Sequence, residues 1–270
     1  MSTARYYCGD VMTRIEYGNG NFIQWEIRDC IDGMREMEDN SVDLIITSPP
    51  YNVGVDYGDD FNDEKSFKQY IDWLNVCFGI FHRKLKDGGR LAINIGDHGR
   101  NPCTQTHAYI GVALHQLGLV CRGMIIWDKR NCLSNTAWGR WCSPSNPALR
   151  SRSEYIWVFN KGSMKKRNVK GKTIQPHEFI TYTMETWEIS PETVMREHPA
   201  PFPIEIPMRL IKLYTIENDL VLDPFLGSGT TLRACRMTNR NGIGFELNPD
   251  YDEIIRKRVR AKDRSIEQFF

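Results

Sequence analysis

Two stretches of the chain carry residue types that could do chemistry. Residues 47–52 read TSPPYN, and residues 221–231 read VLDPFLGSGTT. In the first, an apolar run ends in Ser48, two prolines fix the backbone, and Tyr51 adds an aromatic face. Pro49 and Pro50 carry carbonyls with no N–H of their own, so they offer rigid acceptors. Rigid acceptors beside an aromatic plate suit a planar, amine-bearing ring such as a nucleobase. A proline-rich turn with a packed Tyr uses the same residue types. In the second stretch an apolar run ends in Asp223, and Gly227 and Gly229 lead into a helical pattern. Glycines there let the backbone pass close to a ligand. Thr230 and Thr231 place hydroxyls and amides at a helix start, which suits an anionic group. A further strand pattern ends at Glu246, about where an acid grips a ribose diol in dinucleotide-type folds. The loop reads D-P-F-x-G-S-G rather than G-x-G-x-x-G, which disfavours a nicotinamide cofactor.

These residues need strands and helices to position them. DLIITS (Asp43–Ser48), RLAINI (Arg90–Ile95), CRGMIIW (Cys121–Trp127), YIWVF (Tyr155–Phe159), LVLD (Leu220–Asp223) and GIGFE (Gly242–Glu246) read as strands. Helical spacing marks Phe67–Leu85, His107–Leu117, Pro207–Thr215, Gly229–Met237 and a segment from about Pro249, while Asp87-Gly88-Gly89 reads as a turn. Strands alternating with helices predict an α/β chain with a mostly parallel twisted sheet and helices on both faces. In such sheets ligands sit at the carboxyl ends of the strands, where both motifs lie.

With 270 residues and 41% hydrophobic content, the chain can bury the core of one sizeable domain, which excludes disorder throughout. No apolar run approaches the about 18 residues of a membrane span, and MSTARYYCGD lacks the apolar core of an export signal. The eight cysteines include no C-x-x-C pair, so reduced cytoplasmic thiols are expected and a metal site is not. A formal net charge of +1 neither demands nor excludes a nucleic-acid partner. The charge is uneven, however. Arg150–Lys172 holds eight basic residues and one acid, Glu154, and Asp56–Glu64 holds five acids. A basic loop of this kind is either a solvated face or a phosphate-binding surface.

Taken together the motifs resemble the S-adenosylmethionine-dependent amino DNA methyltransferases, which modify exocyclic amines of bases. TSPPY looks like their catalytic motif, and DPFLGSGTT with Phe245-Glu246 looks like their cofactor motifs. The catalytic motif comes first, which resembles the β-group order. RDCIDGMREMEDNSVDLIITSPPY (28–51), HPAPFPIEIPMRLI (198–211), and IIWDKRN with RSRSEYIWVFNKG are similar to further blocks of that group. The resemblance covers about residues 26–260 and implies a single Rossmann-like methyltransferase domain over 26–270. Residues 1–25 are expected to be an N-terminal extension, and a small DNA-recognition insertion is expected at about 131–197.

Carried over position by position, the resemblance assigns S-adenosyl-L-methionine to Asp223, Phe225, Gly227, Gly229, Thr230, Thr231 and Glu246. Phe202, Pro203 and Asp29 are expected near that pocket, although Asp29 also reads as a turn acid. Ser48, Pro49, Pro50 and Tyr51 are expected to form the target-base site. The exocyclic nitrogen is a poor nucleophile because its lone pair is conjugated into the ring. Fixed acceptors, the Ser48 side chain and the Pro49 carbonyl, would twist the amine and aim its lone pair. Tyr51 would stack on the flipped base. No covalent intermediate is required, and Pro102-Cys103 lacks the rest of a ring-carbon methylation motif. In that family Ser at the first motif position usually accompanies cytosine and Asp adenine. Ser48 therefore implies the 4-amino group of cytosine in double-stranded DNA, with the 6-amino group of adenine as the alternative.

Arg140, Arg150, Arg152, Lys165, Lys166 and Arg167 are the expected DNA contacts, with Trp138 and Trp141 beside them. By analogy with β-group relatives, a homodimer and a companion restriction endonuclease are expected. Rival readings are an enzyme acting on another amine and a non-catalytic DNA-binding relative. The Ser at position 48 argues against glutamine as the target, and the intact cofactor motifs argue against a non-catalytic relative.

Overall fold

The computed structural model describes residues 11–17, 20–52, 65–97, 103–130, 140, 142–149, 151–166, 169, 173–192 and 203–261. In chain order the strands are β1 (Val11–Glu16), β2 (Phe22–Ile27), β3 (Val42–Thr47), β4 (Leu85–Ile95), β5 (Val120–Asp128), β6 (Ser153–Asn160), β7 (Thr186–Glu188), β8 (Leu220–Asp223) and β9 (Asn241–Glu246). The helices are α1 (Cys30–Glu36), α2 (Phe67–Lys84), α3 (Thr106–Gln116), α4 (Pro176–Tyr182), α5 (Glu205–Tyr214), α6 (Thr230–Met237) and α7 (Tyr251–Arg260).

Among the described residues the strands form one sheet, ordered β1-β2-β9-β8-β3-β4-β6-β5-β7. Only the β1–β2, β4–β6 and β5–β6 pairings are antiparallel. All six residues of β3 are buried, as a strand covered on both faces requires. Side chains alternate across it. Leu44 and Ile46 join an apolar cluster with α5, α6 and α7, while Ile45 joins a second cluster with α1, α2 and α3. Tyr70, Leu74, Cys77, Phe78 and Phe81 recur at helical spacing and give α2 its buried stripe. A reciprocal cap between Ser66 and Gln69 starts that helix.

From β3 the chain moves one way along the sheet to β4, and from β8 it moves the other way to β9. The β3/β8 boundary is therefore the switch point where a crevice opens at the carboxyl ends of the strands.

Several expectations change. The boundary at residue 25/26 falls inside β2, which pairs with β9 from Ile23↔Gly242 to Ile27↔Glu246, so residues 11–27 belong to the sheet. Asp87-Gly88-Gly89 lies within β4, where the pairing slips between Val42↔Leu85 and Leu44↔Arg90, and Gly88 takes a φ of 75°. The segment 131–197 is not one insertion. Strand β6 lies inside the sheet between β4 and β5, and β7 extends it beyond β5. Helix α4 packs on α5, with the Arg209 guanidinium 4.9 Å from the Tyr182 ring centre and Lys212 paired to Glu178.

Candidate active site

The end of β3 is tied to the end of β8 through one carboxyl. Thr47 Oγ1 donates to Asp223 Oδ1 (2.8 Å), Thr231 Oγ1 donates to Asp223 Oδ2 (2.6 Å), and the Phe225 amide donates to Oδ1 (3.2 Å). Asp223 is 1% exposed. Burial pushes its carboxyl up from an ordinary 3.8 to about 7, against the lowering effect of those donors. Expected on the pocket floor, Asp223 instead has both oxygens committed to holding strand, loop and helix together.

The loop after β8 turns tightly. Gly227 (φ 53°) and Gly229 (φ 85°) adopt left-handed backbone that a side chain would strain. The Gly227 amide donates to Glu246 Oε2 (2.7 Å), and the Asn248 amide donates to Oε1 (2.9 Å). Glu246 is thus aimed by two backbone donors at the end of β9, and burial raises its carboxyl above the ordinary value. The Phe225 ring lies 5.4 Å from Trp73 and 6.4 Å from Phe81, centre to centre, forming an aromatic wall. Both threonine hydroxyls are engaged within the protein: Thr231 with Asp223, and Thr230 as acceptor from Arg258 Nη1 (2.8 Å). An anion at the start of α6 therefore meets backbone amides and the Thr230 hydroxyl proton, while the Thr231 proton is committed to Asp223. Asp29 caps α1, accepting from the Ile31 (2.7 Å) and Asp32 (3.4 Å) amides. It adjoins Arg28, whose amide donates to the Glu246 carbonyl (2.8 Å). Pro203 is buried just before α5, and Phe202 lies outside the described residues.

At the end of β3, Ser48 Oγ donates to the Tyr51 hydroxyl (3.1 Å), and that hydroxyl donates to Glu154 Oε2 (2.8 Å). Asn94 Nδ2 donates to both Tyr51 (2.9 Å) and Glu154 (2.7 Å), and Lys129 is paired with Glu154. Burial and the Glu154 charge push the Tyr51 hydroxyl well above its ordinary value. The Pro50 carbonyl is taken by the Tyr70 hydroxyl (2.7 Å), so it braces the turn instead of facing a base. Gly96 backs the Tyr51 ring, since a Cβ there would lie 3.2 Å from Tyr51 Cε2.

The basic residues divide between the two ends of the sheet. Because β6 runs antiparallel to β4 and β5, Arg152 lies at the carboxyl end, where it pairs with Asp128 (2.6 Å). Arg140 precedes β6 and is exposed. Lys161–Lys166 follow β6 and lie at the opposite, amino end. The Lys165 backbone carbonyl there lies against Gly88, and Lys166 bridges Asp43 (2.8 Å) and Asp219. Asp43 is five residues before Ser48 on β3, so that bridge stands about 17 Å from the crevice along the strand. At this end Lys166 neutralises acids at the strand starts, away from the crevice where Lys165 and Lys166 were expected to meet DNA, while the Lys165 side chain is exposed. Arg150, Arg167, Trp138, Trp141, the acidic loop 56–64 and Pro102 lie outside the described residues. Among the described residues no group of three or more His, Cys, Asp or Glu is placed to hold a metal ion, and no helix is long and apolar enough to cross a membrane.

Residues 42–257 match the N6_N4_Mtase family, described as DNA methylase. The chain belongs to that family. It is 30% identical to the Type II methyltransferase M.MjaI of Methanocaldococcus jannaschii, over 88% of this chain and 91% of that protein. It is 31% identical to the Type II methyltransferase M.HpaI of Haemophilus parainfluenzae, over 85% and 72% respectively. Among solved structures, TTHA0409 of Thermus thermophilus complexed with S-adenosyl-L-methionine superposes with a TM-score of 0.70 at 26% identity, covering 86% of this chain and 91% of that one. This DNA methylase is thus an amino-methyltransferase of DNA whose cofactor is S-adenosyl-L-methionine. The crevice fits that cofactor: a glycine turn, an oriented acid for hydroxyls, an aromatic wall and free helix-start geometry converge there. Sequence reasoning missed Thr47, Asn94, Lys129 and Glu154 as parts of the site. The one available signal was Glu154 standing as the lone acid in a basic stretch.

Proposed function

We propose that the chain is a site-specific DNA methyltransferase that moves a methyl group from S-adenosyl-L-methionine to the 4-amino group of a flipped-out cytosine. The observation that carries this reading is Ser48: a neutral hydroxyl at the end of β3, with its own proton committed to Tyr51. Its lone pairs face the amine with no donor left to compete. Ser48 Oγ and the Pro49 carbonyl accept the two amine protons and aim the nitrogen lone pair, an alignment worth several kcal/mol of barrier. The donor supplies a methyl on a sulfonium; the nitrogen lone pair makes the new N–C bond as the S–C pair returns to sulfur. Glu246 holds the cofactor ribose, Phe225 packs against the cofactor, and the amides at the start of α6 meet its carboxylate. Asp223 and Thr231 position that loop. Tyr51 offers its ring to the base, and Asp29 is proposed at the pocket rim beside Glu246. Arg140 and Arg152, at the carboxyl end, are the proposed phosphate contacts.

The Type II names of M.MjaI and M.HpaI support a restriction–modification setting, in which a companion endonuclease would cut the unmethylated site. Nucleoside mass spectrometry of unmodified genomic DNA treated with the enzyme and cofactor tests the base. The expected product is N(4)-methylcytosine. N(6)-methyladenine alone would transfer the same mechanism to adenine, and 5-methylcytosine alone would overturn it.

A further inference from the structure

We propose that Glu154 is a positioning residue for the methyl transfer, acting on Ser48 through Tyr51 as the end of a one-way proton wire. This rests on the reading that Ser48 receives the target amine. The direction of the wire follows from what each group can do. An ionised carboxylate only accepts, and the Asn94 amide nitrogen and the Lys129 ammonium only donate. The Tyr51 oxygen already accepts from Asn94 Nδ2 (2.9 Å) and from Ser48 (3.1 Å), so its single proton goes to Glu154 Oε2 (2.8 Å). The Asn94 orientation is fixed by Glu154, because a carbonyl oxygen 2.7 Å from its carboxylate oxygen would be repelled. Lys129, over the Trp127 ring at 4.9 Å, pairs with the other Glu154 oxygen.

The wire meets a specific need of a serine at this position. A hydroxyl is a weaker acceptor than a carboxylate, and left alone it can turn its proton towards the amine. Here that proton is held away, and hydrogen bonds in series polarise one another, so Ser48 Oγ becomes an oriented and strengthened acceptor. The wire also gives the surplus proton a path. After transfer the amine nitrogen carries a positive charge and one proton too many. That proton passes to Ser48 Oγ as the Ser48 proton passes to Tyr51 and the Tyr51 proton passes to Glu154. Nitrogen, serine and tyrosine end neutral, and the glutamic acid then releases the proton to water. Glu154 is only 12% exposed on its side chain, enough to reach solvent at turnover while remaining shielded in the network.

The test compares Ser48→Ala, Tyr51→Phe, Glu154→Gln and the Ser48→Ala/Glu154→Gln pair in single-turnover methylation of unmodified genomic DNA. Cofactor affinity by calorimetry and thermal melting are measured on the same proteins. Tyr51→Phe and Glu154→Gln should each slow transfer by about 10- to 100-fold, with cofactor affinity within about twofold of the parent. In the Ser48→Ala background Glu154→Gln should cost almost nothing more, because the group it acts on is gone. A merely structural Glu154 would instead give additive losses and lowered melting, which overturns the proposal. Full rate in Tyr51→Phe, which keeps the ring and cuts only the wire, overturns it even if Glu154→Gln fails to fold. Full rate in Ser48→Ala alone would instead remove the Ser48 reading on which the wire rests.

Discussion

Replacing Asp223 with Asn should make the protein more stable at neutral pH, and the gain should grow with pH. The carboxyl is buried and its value rises from an ordinary 3.8 to about 7, chiefly by burial. A carboxyl raised in the folded state keeps a proton that the unfolded chain releases between those values. The folded state therefore binds more protons in that window, and stability falls as pH rises through it, then levels off above about 7. At about 1.36 kcal/mol per pH unit, the full penalty is on the order of 4 kcal/mol. Asn removes the charge and keeps one acceptor oxygen. Its amide can donate once a threonine hydroxyl, Thr47 or Thr231, rotates to accept. Urea unfolding of both proteins from pH 4.5 to pH 8 measures the effect, because titrating groups common to the two cancel in the difference. The variant's advantage should widen by several kcal/mol across the range. An advantage that stays flat, or shrinks as pH rises, would show that Asp223 is not held protonated by burial. Cofactor affinity should change little, since both oxygens face Thr47, Thr231 and the Phe225 amide rather than the crevice.

Glu246→Ala should weaken S-adenosyl-L-methionine binding by about 1.5–3 kcal/mol, the worth of a charge-assisted bond to a buried hydroxyl; unchanged calorimetric affinity in a folded variant would take Glu246 out of the pocket. Lys166→Ala should lower the melting temperature by leaving Asp43 and Asp219 without their shared cation, yet leave the salt dependence of DNA binding as it was. Arg140→Ala should reduce that salt slope by about one, so a slope that responds to Lys166 and not to Arg140 would reverse the assignment of ends. Asp29→Ser keeps the cap of α1 and removes the charge; weaker cofactor binding at unchanged stability would place the carboxylate in the pocket, and no change would leave it a cap alone.

Local chemistry made much of the protein legible. TSPPY and DPFLGSGTT carry their meaning in adjacent residues, because a tight turn, a rigid proline pair and a helix start are built within a few peptide units. The buried strands were legible for a related reason: an apolar run such as DLIITS has no polar face to give to solvent. The short or half-exposed elements were not. Strand β1 sets Ile15 between Arg14 and Glu16, β2 sets Ile23 and Trp25 beside Gln24 and Glu26, and β7 has three residues, too few for any period to appear.

What tertiary structure decided is which distant groups meet. Glu154 lies 103 positions after Tyr51, and only the antiparallel course of β6 between β4 and β5 brings its first residues to the carboxyl end of the sheet. The same reversal carries Lys161–Lys166 to the other end, where Lys166 pairs with Asp43 and Asp219 and the Ser163 amide donates to Asp87. Asp223 looked from the sequence like a ligand-binding acid, and three donors from separate segments made it a buried tie. A motif fixes the kind of residue at the end of a strand; strand order and direction fix what that residue faces, and hydrogen bonds across strands exist only once the sheet is assembled.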